Sequence, residues 1–189
     1  MNFIAHDAQF DAGTSGKEFE SAEFRAMGND VEIILIDAPV RTLEAMQMRI
    51  LQLHERWTRF DSSSELMKIN NNPGHDVVVS QDTIELVECM IAGFEISNGF
   101  FDARLLTHTL TRGFVESQSD PQVKTMWTAR GLPVDTREQV SVNRSASTVR
   151  VPRGIGLDAG GIGKGLAADI IVREAIDAGA HGACVTVGG

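Results

Sequence analysis

The stretch RGIGLDAGGIGKGLAADI (153–170) holds the residues best suited to chemistry. Gly160, Gly161, Gly163 and Gly165 surround Ile162 and Lys164 and run straight into an apolar helical pattern. Glycines at this density expose backbone N–H groups. The start of a helix adds partial positive charge, and a lysine stands at its mouth. Such a place favours an anion, phosphate above all. Asp158 lies six residues before Lys164. Its carboxylate can accept from a ligand hydroxyl or ring N–H, or face a bound cation. The plainer reading is a tight left-handed turn with a surface lysine.

Two nucleotide-binding patterns come near this stretch. A P-loop needs Gly six residues before its Lys and Ser or Thr after it. Asp158 and Gly165 occupy those positions, so that reading fails. The dinucleotide pattern G-x-G-x-x-G/A is met loosely at Gly154-Gly156-Ala159 and again at Gly163-Gly165-Ala168. The strand before it reads as part of a hairpin, and the first match stops short of the helix. A strand after the helix keeps this as the weaker alternative.

The elements that must position these residues follow from periodicity and punctuation. Val31–Ile36 (VEIILI) reads as a strand, and Asp37–Pro39 turn the chain towards a helix. Leu43, Met46, Ile50, Leu53 and Trp57 recur at helical spacing, which predicts a helix over roughly 40–57 with these residues inward. Asp61 and three serines break it, and Ser63 or Ser64 caps a short turn carrying Leu66 and Ile69. Asn70 to Gly74 form a loop, and Val77–Val79 a short strand. Ser80 caps a second amphipathic helix that Ser97-Asn98-Gly99 stops. A helix is expected around 122–130, ended by Gly131. Val140–Val142 and Val149–Val151 form a hairpin. A helix over about 164–178 and a strand over 183–187 complete the reading. Mixed helices and short strands with an antiparallel hairpin indicate an α+β fold.

Composition bounds the function. Of 189 residues, 42% are hydrophobic and 23% charged, enough to build a core. Acids outnumber bases 26 to 17, giving a net charge of −9. No basic footprint for nucleic acid exists, and an anionic membrane surface is disfavoured. Residues 1–21 read as a flexible leader ahead of a domain over 22–189. The leader lacks the basic start, apolar run and cleavage site of a signal peptide. No apolar run reaches the ~18 residues of a membrane span. The expectation is a cytoplasmic protein without a membrane anchor. Cys89 and Cys184 show no metal spacing and read as buried, inert thiols. The five histidines show no ligand spacing.

The run from Asp158 to Gly165, with Ala168 and Asp169 after it, resembles the Asp-Leu-Gly-Gly-Ile-Ala-Lys-Gly signature of the ApbE-type family, the FAD:protein FMN transferases. Further segments agree in order. Met27-Gly28-Asn29 resembles the family's Met-Gly-Thr. Arg59-Phe60-Asp61 through Ser64-Glu65-Leu66 and Asn70 resembles its aromatic-x-Pro-x-Ser-Glu-Leu…Asn segment. Gly99-Phe100-Phe101-Asp102 resembles Gly-x-Phe-Asp, and Val185 to Gly189 the strand and Gly-Gly that follow the signature. The resemblance covers about 23–189. Asn29 stands for Thr, Phe60 for a common Tyr, and Gly163 for Ala. Phe60 keeps a stacking face and loses a phenol hydrogen bond.

The resemblance implies an ApbE-like, T-fold-like α+β domain with antiparallel sheets, of which this chain matches the front portion. It implies a transferase that splits FAD and passes FMN to a Thr or Ser hydroxyl of a flavoprotein acceptor, releasing AMP, with Mg²⁺. It places Met27 and Phe60 on FAD, with Phe100, Phe101 and Asp102 as another wall. Asp158 would hold the flavin part and Lys164 would lie near the ligand, while the Gly161 carbonyl is one magnesium ligand. The other metal ligands, an Asp and a Thr, belong to a part of the family pattern beyond this match. A flavin-binding or FAD-hydrolysing module without protein transfer, or an inactive fragment, is the alternative.

Overall fold

The computed structural model describes residues 18–117, 120–128, 130–133 and 139–188. Along the chain lie β1 (Phe19–Ala26), β2 (Asn29–Ile36), α1 (Thr42–Trp57), α2 (Glu65–Asn71), β3 (Val77–Val78), α3 (Gln81–Ile96), α4 (Leu106–Thr111), β4 (Ser141–Asn143), β5 (Thr148–Arg150), α5 (Gly163–Asp177) and β6 (Gly182–Val187). They fall into two compact units. One comprises the described residues up to His54 and from Lys164 onward; the other is Glu55–Gly163.

In the first unit, Val31, Ile33 and Leu35 are buried and alternate with more accessible neighbours, so β2 buries one face. It is the middle strand of an antiparallel sheet ordered β1-β2-β6. Ile33 pairs with Ala22 on one side and Val185 on the other, which fixes the inward row. Met46 and Ile50 of α1 and Ile171 and Ala175 of α5 pack with that row. Arg49 of α1 donates to the Glu174 carboxylate of α5 at 2.9–3.0 Å. The β1–β2 turn is Met27-Gly28, at φ +52° and +75°. Two left-handed residues suit the right-handed twist of a two-residue hairpin. A methionine is an unusual first member.

In the second unit, the Ser64 hydroxyl caps α2 by accepting from the Met67 N–H, and that of Ser80 caps α3 by accepting from Thr83 N–H. Glu65 ties the two starts together. One of its oxygens accepts from the Ser80 N–H at 3.1 Å, the Ser80 hydroxyl at 2.7 Å and the Thr83 hydroxyl. A second antiparallel sheet runs β3-β5-β4. Met67, Leu106, Leu110 and Trp127 form a buried cluster. Among the described residues, no helix is long and apolar enough to cross a membrane.

Several expectations need correction. Residues 1–17 of the expected leader lie outside the described ones, but Phe19–Ser21 already belong to β1. The helix expected near 122–130 is not formed by the described residues there. Instead Glu116 bridges Lys124 antiparallel, and the Thr125 N–H donates to Val115 O at 2.9 Å. Asp120 promotes this by accepting from the Gln122 N–H at 2.9 Å, a side-chain turn that competes with a helix start. Helix α4 was not expected: it has six residues and no side-chain cap. Cys184, expected to be buried, is exposed, because strand alternation puts Ala183 and Val185 inward.

Candidate functional site

The glycine-rich turn is anchored through the residue before its carboxylate. Asn70, fully buried at the end of α2, pairs with both backbone groups of Leu157. Its Oδ1 accepts from the Leu157 N–H at 2.8 Å and its Nδ2 donates to Leu157 O at 2.9 Å. The carboxamide thus acts as a peptide group of a strand partner. On the chain's other side, Leu105 and Gly156 form a parallel bridge, and the Asp158 N–H donates to Ala103 O at 2.8 Å. Segment 103–106 therefore runs beside 156–158, which brings the neighbourhood of Asp102 to that of Asp158.

Within the turn, Asp158 Oδ1 accepts from the Gly160 N–H at 2.9 Å. The N–H groups of Ile162 and Gly163 both donate to Ala159 O, at 3.2 and 2.7 Å, tightening the entry to α5. A side chain at Gly161 would begin 2.7 Å from the Phe101 ring, so that ring lies flush against the backbone there. The Phe101 N–H donates to the Ser97 hydroxyl at 2.9 Å. The chain reaches Phe101 through Asn98 and Gly99, both left-handed, at the end of α3.

Arg59 completes this side. Its guanidinium lies over the Phe60 ring, 4.6 Å from the centroid. It donates to Phe114 O at 2.7 Å and to the Thr125 hydroxyl at 3.3 Å. Its Nε is 3.9 Å from Asp158 Oδ2. Burial pulls the guanidinium below its ordinary pKa, and the Asp158 charge opposes that shift. It stays charged at any ordinary pH.

The structure thus groups Phe60, Phe101, Asp158 and Gly161 within the second unit. Phe100 differs: its ring is 97% exposed. Asp102 is engaged by Arg104, which donates from Nε and Nη2 at 2.8 Å each and from its backbone N–H at 2.9 Å. Met27 and Lys164 belong to the first unit. Met27 is half-buried, and its N–H donates to His54 Nδ1 at 3.0 Å, which holds the left-handed turn. Lys164 is half-buried at the second position of α5. Arg59, Asn70 and His54 were given no role from sequence. For Arg59 the available signal was a cation beside an aromatic in a loop. For Asn70 it was a polar residue on an apolar helical turn.

The Arg104 hydrogen bonds hold the Asp102 carboxyl below the usual carboxylate range. A pKa lowered by folding stabilises the folded chain above about pH 4, and that contribution is lost as the pH falls through the folded value. Asp102→Asn is therefore expected to lower stability at neutral pH and to flatten the acid limb of a stability–pH profile. An acid limb identical to the parent's would show that this pair does not couple to folding.

Among the described residues, no group of three or more His, Cys, Asp or Glu side chains is arranged to hold a metal ion. Mg²⁺ takes six oxygens in near-octahedral geometry, usually with a carboxylate. The Gly161 carbonyl alone does not meet that demand, and the described residues do not by themselves fit the ion.

The family model that matches is that of the ApbE family, over residues 27–189. Among solved structures, the fold is similar to the ApbE protein of Thermotoga maritima, at 22% identity and TM-score 0.70, covering 91% of this chain and 57% of that one. It is similar to the apo form of the flavinyl transferase ApbE of Pseudomonas stutzeri, at 19% identity and TM-score 0.72, covering 92% and 60%. It is also similar to the flavin transferase ApbE from Vibrio cholerae, at 18% identity and TM-score 0.72, covering 92% and 58%. The chain thus spans less than two thirds of the length of these structures. No curated protein matches it.

Proposed function

Since the chain belongs to the ApbE family, we propose that it takes part in transferring FMN from FAD to a Thr or Ser hydroxyl of a flavoprotein acceptor. In this reaction the hydroxyl oxygen bonds to the phosphorus of the FMN half of FAD. The bond from that phosphorus to the bridging oxygen breaks, AMP leaves with that oxygen, and the hydroxyl loses its proton. The product is a phosphoester. Such chemistry depends on positioning and charge neutralisation more than on covalent catalysis.

The observation that carries the reading is that the family match spans every expected site residue, supported by the Phe101 ring lying against Gly161 and by Arg59 linking Phe60 to Asp158. Asp158 would accept from the flavin, Phe60 would stack on a ring, and Phe101 would form a wall. Phe100 and Asp102 would extend that wall, and Met27 and Lys164 are further proposed contacts. The anion-favouring entry to α5 suits a pyrophosphate. Mg²⁺ belongs to the proposal, with the Gly161 carbonyl as one ligand.

The test incubates the protein with FAD, Mg²⁺ and a Thr-bearing flavoprotein acceptor. The expected result is flavin fluorescence that stays with the acceptor under denaturing electrophoresis, with AMP released in equal amount. FAD split without flavin on the acceptor would favour the hydrolysing alternative. Unchanged FAD would overturn both.

Phe60→Ala is expected to weaken FAD binding by about 0.5–1.5 kcal/mol, the worth of a stacked aromatic pair. Phe60→Tyr, which keeps the ring, should bind like the parent. Flavin fluorescence titration checks this, and equal affinities for Ala and Tyr would remove the stacking role.

A further inference from the structure

We propose that Arg59 is a positioning residue for the FAD site, holding the Phe60 ring and the Asp158 carboxylate in one fixed relation. This rests on reading the 158–161 turn as that site.

Two Arg–Asp pairs in the second unit differ in kind. Arg104 grips Asp102 with two side-chain bonds of 2.8 Å and one backbone bond, taking up both oxygens. Arg59 does not grip Asp158. Its Nε stays 3.9 Å from Oδ2, beyond hydrogen-bond range. Yet its side chain is only 14% exposed. A buried guanidinium is costly unless its N–H groups are met. Here two neutral acceptors, the Phe114 carbonyl and the Thr125 hydroxyl, meet Nη1. The cation is therefore moored to the 114–125 segment and offset from the carboxylate.

The offset has two results. Asp158 Oδ1 is engaged by Gly160, but no hydrogen bond reaches Oδ2 among the described residues. A carboxylate with an open oxygen can still accept from a ligand. Arg59 also balances the charge of Asp158, so the group that completes Oδ2 is a neutral donor, such as a ring N–H or a hydroxyl, not a second cation. At the same time the guanidinium lies over one face of the Phe60 ring, 4.6 Å from its centroid, and a ligand would stack on the other face. One side chain thus sets the spacing between a stacking face and an acceptor.

The test is a double-mutant cycle on the full chain, read by FAD fluorescence titration with thermal unfolding measured alongside. Arg59→Met is expected to weaken FAD binding about tenfold. In a Phe60→Ala background the same change should cost clearly less, because the ring it supports is gone. A merely structural arginine would lower thermal stability and show no such coupling. Should Arg59→Met fail to fold, Arg59→Lys takes its place in the cycle: it keeps the cation and loses the planar support. Parent-like affinity in the Arg59 variant, or a loss of equal size with and without Phe60, overturns the proposal while leaving the site assignment standing. Absence of FAD binding by the parent chain overturns the site assignment, and this proposal with it.

Discussion

Asn70→Leu is expected to lower the unfolding free energy by about 2–6 kcal/mol, because it leaves two buried backbone groups unpaired at about 1–3 kcal/mol each. Leucine has similar bulk, so the loss is one of polarity. The Leu157 N–H and C=O, met by Asn70 at 2.8 and 2.9 Å, would have no partner. Leu157 is itself buried, so water does not readily replace the carboxamide. Asn70→Asp is expected to do no better. It restores the acceptor, deletes the donor and buries a charge. Denaturant unfolding gives the measurement: the midpoint should fall with the slope unchanged. A loss below about 1 kcal/mol would mean that the turn relaxes around the change.

Asp158→Ala is expected to separate binding from folding. The Asp158 side chain is 21% exposed, its Oδ1 accepts from the neighbouring Gly160 N–H, and no hydrogen bond reaches its Oδ2 among the described residues. Losing a charge-assisted hydrogen bond to the ligand is worth about 1.5–3 kcal/mol, or roughly 10- to 150-fold in FAD affinity. Thermal stability should change far less than in the Asn70 variants. Asp158→Asn is a sharper probe: it keeps the local acceptor for Gly160 and removes the charge. If both variants bind FAD like the parent, Asp158 is a turn residue only.

The elements legible in sequence were those with strong local signals. Leu43, Met46, Ile50, Leu53 and Trp57 announced α1 by spacing, and Ser64 and Ser80 announced the caps they make. What escaped depended on partners far along the chain. Residues 19–21 look like leader until β2 pairs with them. The sequence around 122–130 has some helical composition, but the Asp120 side-chain turn and the Thr125 N–H bond to Val115 O decide otherwise for the described residues there. The site shows the same division. Glycine density exposed the turn and Asp158 because the chemistry is local. The role of Asn70 depends on a bond spanning 87 residues, and that of Arg59 on one spanning 55. The Ser-Glu-Leu…Asn segment thus proves to be scaffold: Ser64 and Glu65 fasten helix starts, and Asn70 fastens the turn.

On the proposed function, FAD binds at the 158–163 turn. Amide hydrogen exchange with and without saturating FAD tests it most directly. Added protection is expected to concentrate at 158–163, with lesser protection at 59–61 and 99–102, and Asp158→Ala is expected to reduce it at the same FAD concentration. Unchanged exchange at 158–163, or protection confined to the β4–β5 hairpin, would contradict it.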